Sequence, residues 1–136
     1  MRPDEDGTAL VEFSLLLPVL LLLILGLFDV SRAVWQENTL AYAAREGTRY
    51  AIVHGSASAS PSTPTNTTAV VTTVKDAAVG VPGITVTVSY PDNCYDRGCR
   101  VAVDATAPFT PLGSEHFMNG ALDITLRGGS LLVIQQ

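Results

Sequence analysis

The hydrophobic pattern changes period along the chain, and each change marks an element. From Phe13 to Phe28 no position is charged and nearly all are apolar. Counted from Thr8 the run is 21 residues, about 31 Å as a helix, which matches a bilayer core of about 30 Å. After Asp29 the text becomes amphipathic: Val30, Ala33, Val34, Leu40, Ala41, Ala44 and Ala51 recur mostly three and four apart, with Arg32, Glu37, Arg45 and Arg49 between them. No proline intervenes before Pro61. The pattern predicts one helix from Thr8 to His54, on the order of 70 Å long, with residues 8–28 in lipid and 29–54 continuing beyond it. Gly47 costs that helix about 1 kcal/mol relative to alanine, and Gly55 is its natural C-cap. The small residues Ala41, Ala43, Ala44 and Gly47 leave room for another backbone to approach, either the chain's own head or a neighbour's.

Periodicity then disappears. Residues 55–68, GSASASPSTPTNTT, are a Ser/Thr/Pro stretch that cannot bury apolar area and reads as a flexible linker. From 69 to 136 the pattern is that of a small head. TAVVTTVKDAAVG sets Val70, Val71, Val74 and Ala78 on one helical face, against the strand preference of its β-branched residues. ITVTVSY alternates with period two, Ile84, Val86, Val88 and Tyr90 on one side. RVAVDA repeats this with Val101, Val103 and Ala105, and LDITLR with Leu122, Ile124 and Leu126. SLLVIQQ extends the last strand or adds another. The pattern predicts an antiparallel sheet whose inner face packs on the helices.

Composition narrows the class. Of the 136 residues 15% are charged, against about 25% in average usage, as expected for a chain partly outside water. Mean hydropathy is +0.30. A net charge of -5 and a pI near 4.7 argue against a nucleic-acid partner, whose phosphates demand a basic footprint. Cys94 and Cys99 flank four residues in the connection between two strands, a separation a disulfide can close. A reduced pair and half a zinc site are the alternatives, and the latter lacks a second ligand pair nearby.

A retained membrane helix fits the apolar run better than a cleaved secretory signal. The leader MRPDED is acidic, the run is long, and only a poor Ser-Arg-Ala site follows. Pro18 removes one i→i−4 bond within it, either as a tolerated membrane proline or as a flexible point for subunit packing. Glu12 stands at the mouth of the run, where a carboxylate is costly unless it snorkels or finds a cation. Cutting the chain between Gly7 and Thr8 would create one: the new α-ammonium on Thr8 lies four residues before Glu12 on the same helix face.

Gly7 followed by TALVEF resembles the prepilin peptidase site of type IV pilin-like proteins: glycine, cut, four residues, glutamate, aromatic. ALVEFSLLLPVLLLLILGLFDVSRA with LAYAAREGTRYA is similar to the N-terminal signature of TadE-like proteins, pilin-like components of the tight adherence (Flp pilus) system. The likeness runs from residue 7 to about 52, and AAREGTRYA is its most distinctive part. Such leaders usually end in basic residues, whereas PDED precedes Gly7 here. The resemblance implies a leader of residues 1–7, processing that reads Gly7, Thr8, Glu12 and Phe13, and assembly through Glu12 and Pro18. It implies as partners a prepilin peptidase, other pilin-like subunits through the N-terminal helix, the Tad inner-membrane machinery and the lipid bilayer. The place implied is the bacterial cell membrane, single-pass with the head outside the cytoplasm, or the pilus itself.

No G-x-S-x-G, P-loop, G-x-G-x-x-G or H-E-x-x-H occurs. Ser114, Glu115 and His116 are adjacent in sequence, which is not how a triad is built. His54 suits the negative end of a helix and needs no other role. We therefore expect no enzyme, no cofactor and no metal site. The expected fold class is α+β and type IV pilin-like, with a long N-terminal transmembrane and amphipathic helix before a head of one helix and an antiparallel sheet. The alternative is an uncleaved single-pass envelope protein whose head binds a surface or a partner.

Overall fold

The computed structural model describes residues 3–112 and 123–135. Its elements are α1 (Pro3–Val53), α2 (Thr68–Ala77), β1 (Thr85–Ser89), β2 (Arg100–Phe109) and β3 (Ile124–Val133). The described residues fall into two compact units: α1 up to Arg32 with residues 110–112, and residues 33–109 with 123–135. The fold class is α+β, a long N-terminal apolar helix followed by a short helix and a three-stranded antiparallel sheet.

In the first unit α1 presents an apolar surface that nothing among the described residues covers. Leu10, Phe13, Leu16, Leu23, Leu27 and Phe28 are all exposed. An 18-residue window of this helix reaches a mean hydropathy of 2.6 with none of it buried. Among the described residues this is the helix long and apolar enough to cross a membrane. In water, leaving that much apolar surface open would cost on the order of 25 cal/mol per Å², so a lipid surround is its natural solvent. Just past the span, the Asp29 carboxylate accepts the Leu112 backbone N–H, 3.1 Å from each oxygen, and an Arg32 guanidinium N–H at 3.2 Å.

In the second unit the sheet order is β1-β2-β3, antiparallel throughout. Alternation decides the inner face. Val101, Val103, Ala105, Ala107 and Phe109 of β2 are buried, and Val86 and Val88 of β1 stand opposite Ala105 and Val103. Leu40, Ala43, Ala44, Thr48 and Ala51 of α1 and Val70 and Val74 of α2 complete this core. The Thr48 hydroxyl, which sits in that apolar setting, donates to the Ala44 carbonyl at 2.7 Å, so it is not left unmatched there. The small-residue face of α1 thus serves the chain's own head. A Cβ on Gly47 would collide with Cγ2 of Val74, so α2 seats directly on that glycine.

The β-branched segment from Thr68 is a helix because burying Val70 and Val74 at i and i+4 outweighs the modest helix cost of valine and threonine. Two further details differ from the periodicity. β2 runs on through Pro108 to Phe109, which a central strand would not accept. Its pairing with β1 ends at Thr106, so Pro108 lies where only β3 is bonded. β3 also continues, from Ile124 through Gly128-Gly129 to Val133, so LDITLR and SLLVIQQ share one strand. Leu126 is half-buried, Ile124 is exposed, and Leu122 lies outside the described residues.

Residues 55–68 are not a free linker. Ser62 is buried, its N–H donates to the His54 carbonyl at 2.7 Å, and its hydroxyl lies 2.8 Å from that of Tyr90. Ser56 N–H donates to the Tyr95 carbonyl, and Thr63 and Asn66 bond reciprocally through their backbones. Low apolar content does not free a segment whose polar groups find partners in the fold, for Ser62 in a residue 28 positions along the chain.

Candidate functional site: the N-terminal helix and the ordered face of the head

The residues singled out for processing lie on α1. Gly7, Thr8, Glu12 and Phe13 are all helical and exposed. A Cβ on Gly7 would meet nothing within 4 Å, so no packing among the described residues demands glycine there. Thr8 and Glu12 stand one turn apart, the i,i+4 relation in which side chains share a face. Ser14 donates to the Val11 carbonyl at 2.8 Å, which satisfies its hydroxyl without a partner helix. α1 runs through Pro18 without interruption. The proline lies with Leu21, Leu22 and Leu25 along a shallow, wholly apolar groove of about 360 Å³.

The amphipathic half of α1 divides cleanly. One face is the core just described. The opposite face carries Trp35, Tyr42, Arg45, Arg49 and Val53, all exposed. Trp35 also reaches the head, since a Cβ on Gly80 would come within 2.9 Å of its Cη2. Gly80 has φ +78, a conformation that favours glycine independently of the indole.

At one end of the head Cys94 and Cys99 are disulfide-bonded with Cα atoms 5.9 Å apart. The knot is tied further. Gly98 N–H donates to the Ile134 carbonyl, and Ile134 N–H donates to the Cys99 carbonyl at 2.8 Å. Asp92 receives the backbone N–H of Arg100 at 3.0 Å and its guanidinium at 3.1 and 2.7 Å. The Arg100 side-chain hydrogen bonds hold the Asp92 carboxyl at about 2, below the usual 3.8, and Asp92 in turn raises the Arg100 pKa. Both groups are exposed, so the pair orders the loop more than it stabilises the head.

His54 is not a ligand in waiting. Its Nδ1–H donates to the Tyr50 carbonyl at 2.8 Å, and its ring stacks on Tyr50 with centroids 3.9 Å apart. His116, Ser114 and Glu115 lie outside the described residues. Among the described residues no group of three His, Cys, Asp or Glu side chains could hold a metal ion.

Periodicity passed over two features. One is the approach of β3 to α1 at Gly128, where a Cβ would overlap the Ala41 nitrogen; a Gly-Gly pair inside a strand, which often marks a neighbouring backbone, was its signal. The hydroxyl-lined cavity beside Tyr50 had no such signal, because a Ser/Thr/Pro stretch reads as linker whether or not it folds back.

The chain matches no curated protein and no solved structure. Residues 7–49 match the family model described as TadE-like protein; the similarity is confined to that segment, which holds Gly7, Glu12, Pro18 and most of the helix face that packs on the head.

Proposed function

We propose that this chain is a pilin-like subunit of a Tad/Flp-type pilus assembly and secretion system, acting in pilus biogenesis and adhesion. The observation that carries the proposal is the TadE-like match over residues 7–49, on a helix whose apolar surface is entirely exposed from Leu10 to Phe28. A prepilin peptidase cuts between Gly7 and Thr8. The processed helix is stored in the membrane and packs against the helices of other pilin-like subunits. The freed Thr8 amine and Glu12 neutralise one another, within a chain or between neighbours, because either charge left alone in hydrocarbon is expensive. The disulfide and its flanking ion pair suit a head held outside the cytoplasm, where thiols are oxidised. Catalysis has no part in this reading.

Mass spectrometry of the N-terminus of native material tests it. A chain beginning at Thr8 supports the proposal. A chain beginning at Met1 or Arg2 overturns it and leaves an uncleaved single-pass envelope protein.

A further inference from the structure

We propose that the cavity beside Tyr50 is a binding site for a neutral, hexose-sized carbohydrate. The cavity measures about 440 Å³, within the range of small-molecule pockets. Tyr50 of α1, Ser60, Ser62, Thr63 and Asn66 of the following segment, and Ala69 in the first turn of α2 line it. None of these carries a formal charge at neutral pH. The set offers hydroxyl and amide groups, which both donate and accept, beside an aromatic ring and a methyl group. That is the chemistry of a sugar, whose hydroxyls do both and whose C–H faces are apolar.

Several of the polar groups are unused. The Tyr50 hydroxyl, the Ser60 hydroxyl and the Asn66 side-chain amide make no hydrogen bond to any described residue. Ser62 and Tyr90 share one hydrogen bond, so one O–H proton of that pair remains available among the described residues. The N-cap of α2, Thr67, makes no side-chain bond to the helix, and its first turn carries no acid. The first-turn N–H groups beside Ala69 are therefore donors without an intrahelical acceptor.

The walls are set before any ligand arrives. Ser62 is anchored to His54 and Tyr90, Thr63 and Asn66 are bonded to each other, and stacking on His54 fixes the Tyr50 ring. A sugar bound here would not have to order the segment first, which is where weak polar sites usually lose their affinity. An anion would also value the helix N-terminus, but none of the lining side chains is a cation. The neutral ligand is the better match.

The test uses the full chain in a zwitterionic detergent without a sugar headgroup, with saturation-transfer-difference NMR against methyl glucoside, methyl galactoside and methyl N-acetylglucosaminide. Saturation should pass to the ring protons of at least one glycoside. Asn66→Leu and Tyr50→Ala should weaken binding about tenfold or more, the loss expected for one or two hydrogen bonds. Should Tyr50→Ala unfold the head by circular dichroism, Asn66→Leu and Ser60→Val at exposed positions carry the test. No transfer to any of the three at millimolar concentration overturns the proposal. So does transfer that survives Asn66→Leu and Ser60→Val unchanged, or saturable binding of inorganic phosphate in place of the sugars.

Discussion

Gly128 of β3 lies against the backbone of α1 so closely that a Cβ there would overlap the Ala41 nitrogen and the Leu40 carbonyl carbon. Helix and strand touch main chain to main chain, with no side chain between them. An obstructing flexible side chain could rotate aside, but α1 and the sheet cannot part at this point without opening the core around Leu40 and Val103. Gly128→Ala should destabilise the head by about 3 kcal/mol, the upper part of the overpacking range. At Gly129 the obstacle is a carboxylate oxygen of the half-buried Asp104 side chain, 2.7 Å from the added Cβ. Gly129→Ala should cost less than half as much. Chemical denaturation followed by circular dichroism separates the two. Equal costs would show that the helix can lift off the sheet.

Gly47 poses a conflict that magnitudes resolve. In an isolated helix alanine is preferred to glycine by about 1 kcal/mol. Here the added methyl would collide with Cγ2 of Val74 and lie 3.5 Å from Val70 and Val103. Overpacking costs about 1–3 kcal/mol, so Gly47→Ala should be neutral to destabilising in spite of propensity. Val74→Ala opens space for it. The double variant Gly47→Ala/Val74→Ala should then be more stable than the sum of the single changes predicts, by about 1 kcal/mol or more. A double-mutant cycle measures this directly, and additivity would show that the two residues do not share the space.

The same two glycines show what could be read from the chain beforehand. The long helix, the short helix and the strand cores followed from period, because each buries one face and period records which one. The close approach of α1 to the head was an open choice. Ala43, Ala44 and Gly47 allow a neighbour's backbone as readily as the chain's own, and only β2, β3 and α2 in place show who occupies that face. The anchoring of residues 55–68 was illegible for a different reason. Its decisive contact, Ser62 with Tyr90, spans 28 residues between two ordinary polar groups and leaves no local pattern. At the proposed processing site sequence exceeds structure. A Cβ on Gly7 would meet nothing within 4 Å among the described residues, so the fold adds no reason for glycine to the one the proposed cleavage gives.

Acid should loosen the disulfide end of the head before the rest. Asp92 titrates at about 2 in the fold against 3.8 ordinarily. A carboxylate whose folded pKa is depressed contributes stability that is present above its unfolded pKa and is lost as pH falls through the folded value. The loss therefore runs from just below pH 4 down to about pH 2. Asp92→Asn should flatten the pH dependence of stability in that window and leave it unchanged at pH 5–7. The exposed position makes the effect small, so amide exchange at Cys99 and Arg100, beside the carboxylate, is the sensitive readout. Identical acid profiles for both proteins would show that Arg100 does not hold the carboxylate in solution.

Gly7 and Glu12 should fail differently if the proposed processing is right. Among the described residues nothing lies within 4 Å of a Cβ on Gly7, so Gly7→Leu should leave the fold intact and abolish cleavage, retaining the acidic leader on a membrane-bound precursor. Glu12 is exposed on the helix and five positions from Gly7. Glu12→Ala removes a charge that is costly in hydrocarbon by about 2.5–3.5 kcal/mol at mid-bilayer and by less near the interface, so membrane insertion should be as good as wild type or better. What it takes away is the counter-charge of the new Thr8 amine. Cleavage should then proceed while assembly drops, because the unpaired ammonium must stay near the headgroups and resists entering a dry helix bundle. Glu12→Gln sharpens the comparison by keeping the shape and hydrogen bonding without the charge, and it should behave like alanine. N-terminal mass spectrometry reads cleavage, and the yield of sheared pili reads assembly. Wild-type piliation by Glu12→Gln would mean that the glutamate shape suffices, and the charge pairing in lipid would have to be abandoned while the cleavage site stood.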